Sequence, residues 1–229
     1  MLPSPTPPVL VIDSASQEVI VGLEGGAGST RDAWARRSEE AGIAVFTGVR
    51  DVLRETGVTL AQLGAIVFCE GPGSLLGIRM AAMAIRTWVA TRPAGGAPLE
   101  FLYYLSVVLV AADLLYSEAA GTAENFAVIT DARRSMWNAL DVSANDKSFS
   151  VQRLSAGDLE ARDYALFHPE GFARWQPLPA QVQTAAYRPE RVLTLARKFP
   201  LLRPSAQPDA FLTQAPEYQK SFKSVRDKL

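Results

Sequence analysis

The stretch that most constrains this chain is Gly64 to Thr91. GAIVFC, at Gly64 to Cys69, is a β-branched apolar run of the kind buried on both faces of a sheet, and it ends at once on Glu70-Gly71-Pro72-Gly73-Ser74. Two glycines around a proline turn the backbone, and Ser74 stands where a hydroxyl caps a helix reaching about Thr91. A strand that passes through a tight loop into a helix N-terminus sets backbone N–H groups at the strand's carboxyl end, where α/β sheets bind anions. No Lys-Ser/Thr pair follows the second glycine, so this is not a Walker A loop, and the spacing of Gly71, Gly73 and Gly77 misses the dinucleotide fingerprint by one residue. Two readings stay open: a phosphate site at Gly71, Gly73 and Ser74, or a plain strand-to-helix turn in which Gly77 permits close packing.

Upstream, Val9 to Ile12 reads as a buried strand ending on Asp13-Ser14, with Glu18 to Leu23 and Thr30 to Arg36 following at hairpin distance. Asp13 and Ser14 then lie where a carboxylate could order a metal-bound phosphate, or could simply close an Asx-type turn. A helix over Glu39 to Glu55, stopped by Gly57, precedes the Gly64 strand; after it come a strand at Leu99 to Tyr104 and an apolar helix at about Ser106 to Tyr116. Ala119 to Glu124 is a small-residue linker, and Phe126 to Thr130 with Met136 to Val142 form two further strands joined by a polar turn at Asp131 to Ser135. Six prolines between 169 and 204 keep later elements short, with Pro189 to Phe199 the clearest helix. Three strands, a helix, a strand and a helix, then a second αβ half, is the order of the two-lobed actin, Hsp70 and sugar-kinase (ASKHA) fold. Composition alone would leave a doubly wound sheet equally open. The expected division is an N-terminal αβ lobe over 8–117, a C-terminal αβ lobe over 118–214 and a closing segment over 215–229.

Composition removes several functions. One Cys and one His among 229 residues exclude a disulfide framework, a Cys/His zinc site within the chain and any mechanism needing two histidines. Cys69 and His168 could in principle form a nucleophile pair, but no basic residue flanks the Cys to lower its pKa, so a buried thiol and a surface histidine are expected. HExxH and GxSxG are absent. Lys plus Arg total 23 against 24 Asp plus Glu, so the net charge of −1 supplies no long-range field for nucleic acid or an anionic membrane. Lys220, Lys223, Arg226 and Lys228 alternate with Tyr218 and Phe222 in the tail, which reads as a solvated chain end. The apolar run Phe101 to Ala112 is closed by Glu100 and Asp113, well short of the roughly 20 residues of a membrane helix, and Met1 to Pro8 has no basic residue to open a signal. No membrane association and a cytoplasmic location are expected.

The two N-terminal helices carry an apolar surplus. In the helix after Ser74 only Arg79, Arg86 and Thr87 are polar, so faces beyond the one that covers a sheet must meet other helices or a partner. In the helix before it, Ile43, Phe46 and Val49 read as the core stripe, which would leave Ala41, Ala44, Val45 and Gly48 as a smooth outer surface. With Leu76, Met80, Met83 and Ala84 these form the candidate interface.

VLVIDSAS at Val9 to Ser16, VLRETG at the first helix end, AIVFCEGPGSLLGIRM at Ala65 to Met80, AVITDARRSMWNALDV at Ala127 to Val142 and APEYQKSF at Ala215 to Phe222 together resemble the TsaB (YeaZ) family of tRNA threonylcarbamoyladenosine biosynthesis proteins, glycoprotease-like in fold. The resemblance is strongest in the GPGS block and weakest over 149–208. Leu75-Leu76 stands where the family usually has Phe-Thr, and Glu39-Glu40-Ala41 where Arg-Glu-His is common. The resemblance implies a noncatalytic scaffold without metal. Such a subunit binds a TsaD-like catalytic subunit through its N-lobe helices, works with a TsaE-like ATPase, forms a homodimer in isolation and meets tRNA only indirectly. It implies no required cofactor; a weak ATP or ADP site with Mg is the lesser expectation. The alternative from the residues is an ATP-dependent phosphotransferase using Asp13 and the GPGS loop, although no base or charge clamp sits in a recognisable motif.

Overall fold

A computed structural model describes residues 7–25, 32–92, 98–117, 125–143 and 149–210. Strands β1 (Val9–Asp13), β2 (Val19–Glu24) and β3 (Ala33–Arg37) form an antiparallel meander, and helix α1 (Ala41–Thr56) follows. Strand β4 (Ala65–Gly71) returns parallel to β1, helix α2 (Leu75–Ala90) crosses over, and β5 (Glu100–Leu105) adds parallel to β4. Helix α3 (Ser106–Tyr116) leads to the second sheet.

That sheet is built from β6 (Asn125–Asp131), β7 (Met136–Ser143), β8 (Val151–Ser155), β9 (Ala165–Pro169) and β10 (Val182–Ala185), in the order β10-β9-β6-β7-β8. Helix α4 (Ala156–Glu160) precedes β9 and helix α5 (Val192–Ala196) follows β10. The two sheets, each opening on an antiparallel ribbon and continuing through parallel crossovers, give a two-lobed α/β fold of the actin, Hsp70 and sugar-kinase type. A final short strand β11 (Arg203–Pro204) leaves the second half and pairs antiparallel with β5. The chain thus comes back to the first sheet within the span 118–214; residues 215–229 lie outside the described residues.

Helix α3 is the hinge of this packing. Its residues from Ser106 to Leu114 are all buried, and its neighbours are β4 and β5 on one side and β6, β7 and α5 on the other. A helix apolar all round is stable only inside such a double layer. The opposite face of the first sheet, with Leu10, Ile12, Val19, Val21, Ile66 and Phe68, is covered by α1 and α2.

Helix α1 corrects the sequence reading. Ala44, Val45, Gly48, Val49 and Val52 are its buried residues, whereas Ile43 is 55% and Phe46 47% exposed. The small face goes inward because the helix lies close on β2: a Cβ at Gly48 would stand 2.9 Å from Val21 Cγ2. Ala44, Val45 and Gly48 are therefore core and not outer surface, Ala41 lies at its edge, and Ala84 of α2, 2% exposed, is core as well. Both faces of α1 are apolar, and periodicity cannot choose between them; closeness of approach does. Ala44→Glu would bury an unpaired carboxylate against the sheet and should cost at least about 3 kcal/mol, read as a collapsed thermal melt of the purified chain.

Candidate functional site

The β1 strand delivers Asp13 to the junction of the two lobes, where it is wholly buried. Its Oδ2 accepts hydrogen bonds from the Tyr104 hydroxyl at the end of β5 and the Tyr187 hydroxyl beyond β10, both at 2.5 Å; its Oδ1 accepts from the Ala15 N–H at 3.0 Å. Cys69 Sγ lies 3.7 Å from the Tyr187 oxygen. Burial raises the Asp13 pKa above its usual 3.8, and the bonds from Tyr104, Tyr187 and Ala15 draw it back. Burial and the adjoining carboxylate push Cys69, Tyr104 and Tyr187 well above their usual values. Cys69 is thus an inert thiol.

The GPGS loop sits against this centre. Ser74 N–H donates to Ala15 O at 2.8 Å, and Ser74 Oγ caps α2 by accepting from Gly77 N–H at 3.3 Å. A Cβ at Gly73 would stand 2.3 Å from Ala15 O, and one at Gly77 2.5 Å from Ser14 O. Both glycines exist to let α2 and its loop pack directly on the 13–15 backbone. Ser106 Oγ donates to Pro72 O at 2.5 Å and fixes the loop from the other side, while Ser14 Oγ is buried without a partner.

The fold therefore brings Asp13, Ser14, Gly71, Gly73 and Ser74 to one place as the sequence predicts, with Asp13 and Ser74 bonded to the protein's own groups. Both Asp13 oxygens are engaged, Oδ2 by the two tyrosine hydroxyls and Oδ1 by the Ala15 N–H, and the Ala15 and Ser14 carbonyls lie directly against Gly73 and Gly77.

The tyrosines are the residues that sequence reasoning missed. Tyr104 stands within a predicted strand, but Tyr187 is 174 positions from Asp13 and in the segment of weakest resemblance. No local pattern pairs them.

Other bonds join the lobes around the Asp13 centre. Gln17 N–H donates to Gly171 O at 2.8 Å, Arg36 bridges Glu18 and Glu190, and Asp113 of α3 pairs with Arg188 and Arg191. A cleft of about 730 Å³ survives at the mouth, lined by Gln17, Glu18, Arg36, Glu170, Gly171 and Arg188. Among the described residues no group of three or more His, Cys, Asp or Glu is arranged to hold a metal. None of the helices there is long and apolar enough to cross a membrane.

His168 of β9 corrects a second expectation. It is 5% exposed, its Nε2 has no hydrogen-bond partner, and burial, followed by the Arg174 charge, lowers its pKa to about 4. It lies in the second sheet, remote in sequence and hydrogen bonding from Cys69.

The candidate interface residues divide. Leu76 is 67% and Met83 59% exposed, with Met80 half-buried beside them. Ile43 and Phe46 join them from α1 in place of Ala44, Val45 and Gly48, and Phe46 meets Trp88 edge-on at 5.4 Å.

No protein-family model and no curated protein matches the chain. Among solved structures it is similar to YeaZ from Pseudomonas aeruginosa, at 20% identity and a TM-score of 0.55 over 84% of this chain and 91% of that one. A second structure, of an uncharacterized protein with similarity to peptidase YEAZ from the same organism, matches with the same identity, coverage and TM-score. The likeness spans both lobes and defines the fold of this chain as YeaZ-like.

Tyr187→Phe removes one hydroxyl from a buried carboxyl and should cost about 1.5–3 kcal/mol in a denaturant melt while leaving the fold intact. Two titrations oppose each other. His168, depressed to about 4, loses stability as pH falls from 6.5 toward 4, because the unfolded chain takes the proton first. Glu70 is raised from 4.5 to about 7 by burial and then by Asp209, so its contribution is lost as pH rises through that interval. Relative to wild type, His168→Gln should gain melting temperature at pH 5, and Glu70→Gln should gain it at pH 8.

Proposed function

We propose that the chain is a noncatalytic partner subunit of the TsaB (YeaZ) kind in tRNA threonylcarbamoyladenosine modification, docking a TsaD-like catalytic subunit through the outer face of α1 and α2. The observation that carries this reading is the apolar face of Ile43, Phe46, Leu76 and Met83, with Met80 at its edge: five large side chains on two adjacent helices of one lobe, four of them exposed. A monomer gains nothing by exposing several large apolar side chains on neighbouring helices, and a helix pair presents them in a form suited to another helix pair. The YeaZ-like fold supports the same reading. So does the covered Asp13 centre, since a subunit that leaves the chemistry to its partner has no need of an open phosphate site.

The face is self-complementary in character, so a homodimer in isolation and a heterodimer with the TsaD-like subunit compete for it. A TsaE-like ATPase completes the assembly, which places ATP turnover outside this chain. A cytoplasmic location accords with this role.

The phosphotransferase reading has a carboxylate but no free coordination on it, and needs Tyr187 to leave. Isothermal titration with Mg-ATP should give no heat of binding and no turnover; micromolar binding with turnover would reverse the choice. The interface is tested by Leu76→Glu and Met83→Arg. Each places a charge on an exposed position, so the melt should shift by less than about 0.5 kcal/mol. Self-association, and capture of the TsaD-like subunit from the same cell, should weaken by at least about tenfold in sedimentation and pull-down. Unchanged association in both variants would move the interface elsewhere.

A further inference from the structure

We infer that the turn between β6 and β7 and the loop over 172–177 form a platform for single-stranded nucleic acid, an unpaired base resting on Trp175 and its phosphates on Arg133, Arg134 and Arg174. The backbone is the first evidence. Arg133, Arg134 and Ser135 have φ of 62°, 52° and 57°, three successive side-chain-bearing residues in the left-handed region that favours glycine. Residues held there cluster at sites of function, and the surrounding structure must enforce them.

Asp131 does so. Its buried carboxylate accepts the Arg133 N–H at 2.6 Å and the Trp175 N–H at 2.8 Å, tying turn and loop into one unit. Gln176 Nε2 donates to Met136 O at 2.9 Å, and Arg153 Nη2 to Ala132 O at 3.2 Å.

On this base the Arg133 guanidinium lies 4.2 Å over the indole of Trp175, which is itself 57% exposed. Arg134 follows Arg133 in the turn and Arg174 precedes Trp175 in the loop; both are exposed, and none of the three arginines forms an ion pair among the described residues, whereas Arg36, Arg37, Arg162 and Arg191 all do. The only carboxylate in the unit has both oxygens engaged. A hollow of about 540 Å³ borders the ring, lined by Gln17, Phe172, Arg174, Gln176 and Pro177.

An exposed indole with one guanidinium already stacked, on a unit that carries two further arginines without ion pairs, is the chemistry of base stacking with phosphate contact. An acidic peptide would use the arginines and leave the indole idle. The near-neutral chain lends no field, so the contact is local, and it departs from the expectation that RNA is met only through a partner. It stands apart from the partner-subunit reading and is tested without any other subunit.

The test is fluorescence anisotropy of the full purified chain with a labelled oligouridylate, the matching oligodeoxythymidylate and a duplex of equal length. At low salt the single strands should bind, with log affinity falling against log salt at a slope of about 2, the value for three phosphates on a single strand. Binding to both single strands assigns stacking and phosphate contact; binding to the RNA alone assigns the ribose hydroxyl as well. Trp175→Ala should weaken binding about tenfold or more, with Trp175→Phe retaining most of it. Arg134→Gly relieves the left-handed residue, so it should raise the melting temperature while weakening binding. No binding at low salt, a duplex bound as tightly as the single strands, or Trp175→Ala without effect on affinity would overturn the proposal.

Discussion

Everything at the junction of the lobes depends on one buried carboxyl. Asp13 is out of water entirely, and a group in that position must be hydrogen-bonded or it costs several kcal/mol. The first sheet supplies the Tyr104 hydroxyl and the second half supplies Tyr187. Because the second donor comes from the far half of the chain, closing the lobes and satisfying the carboxyl are one event. The Gln17 to Gly171 bond and the Arg36 to Glu190 pair lie around the same axis and reinforce the closure from the surface.

That closure decides what the GPGS loop can be. Glycines before a helix N-terminus commonly mean backbone kept clear for a phosphate. Gly73 and Gly77 are kept clear for the Ala15 and Ser14 carbonyls instead, so the same residue types serve packing of α2 on the end of β1. With the loop packed on that backbone, α2 lies with Leu76 and Met83 exposed on its outer side.

The two surfaces proposed above as contact sites differ in their physics. The α1 and α2 face is apolar and offers burial, which is nondirectional and tolerant of exchange between similar partners. The platform at Trp175 is small, polar and rigid, held by Asp131 in a backbone conformation that costs energy, and offers directional contacts. The lobes carry one each.

The succession of strands and helices in the first half of the chain, the Ser74 cap and the Gly57 stop with its left-handed φ of 70° were written locally, in periodicities and punctuating residues. The sequence by itself determined these because each depends on neighbours within a few positions. Three things only the tertiary structure decided. Which apolar face of α1 goes inward turned on how close Val21 of β2 lies to Gly48, a distance no helical period encodes. Burial of His168 depended on what covers the second sheet. And the fate of Asp13 rested on Tyr187, 174 residues away, brought to hydrogen-bonding distance only by the packing of both sheets on α3.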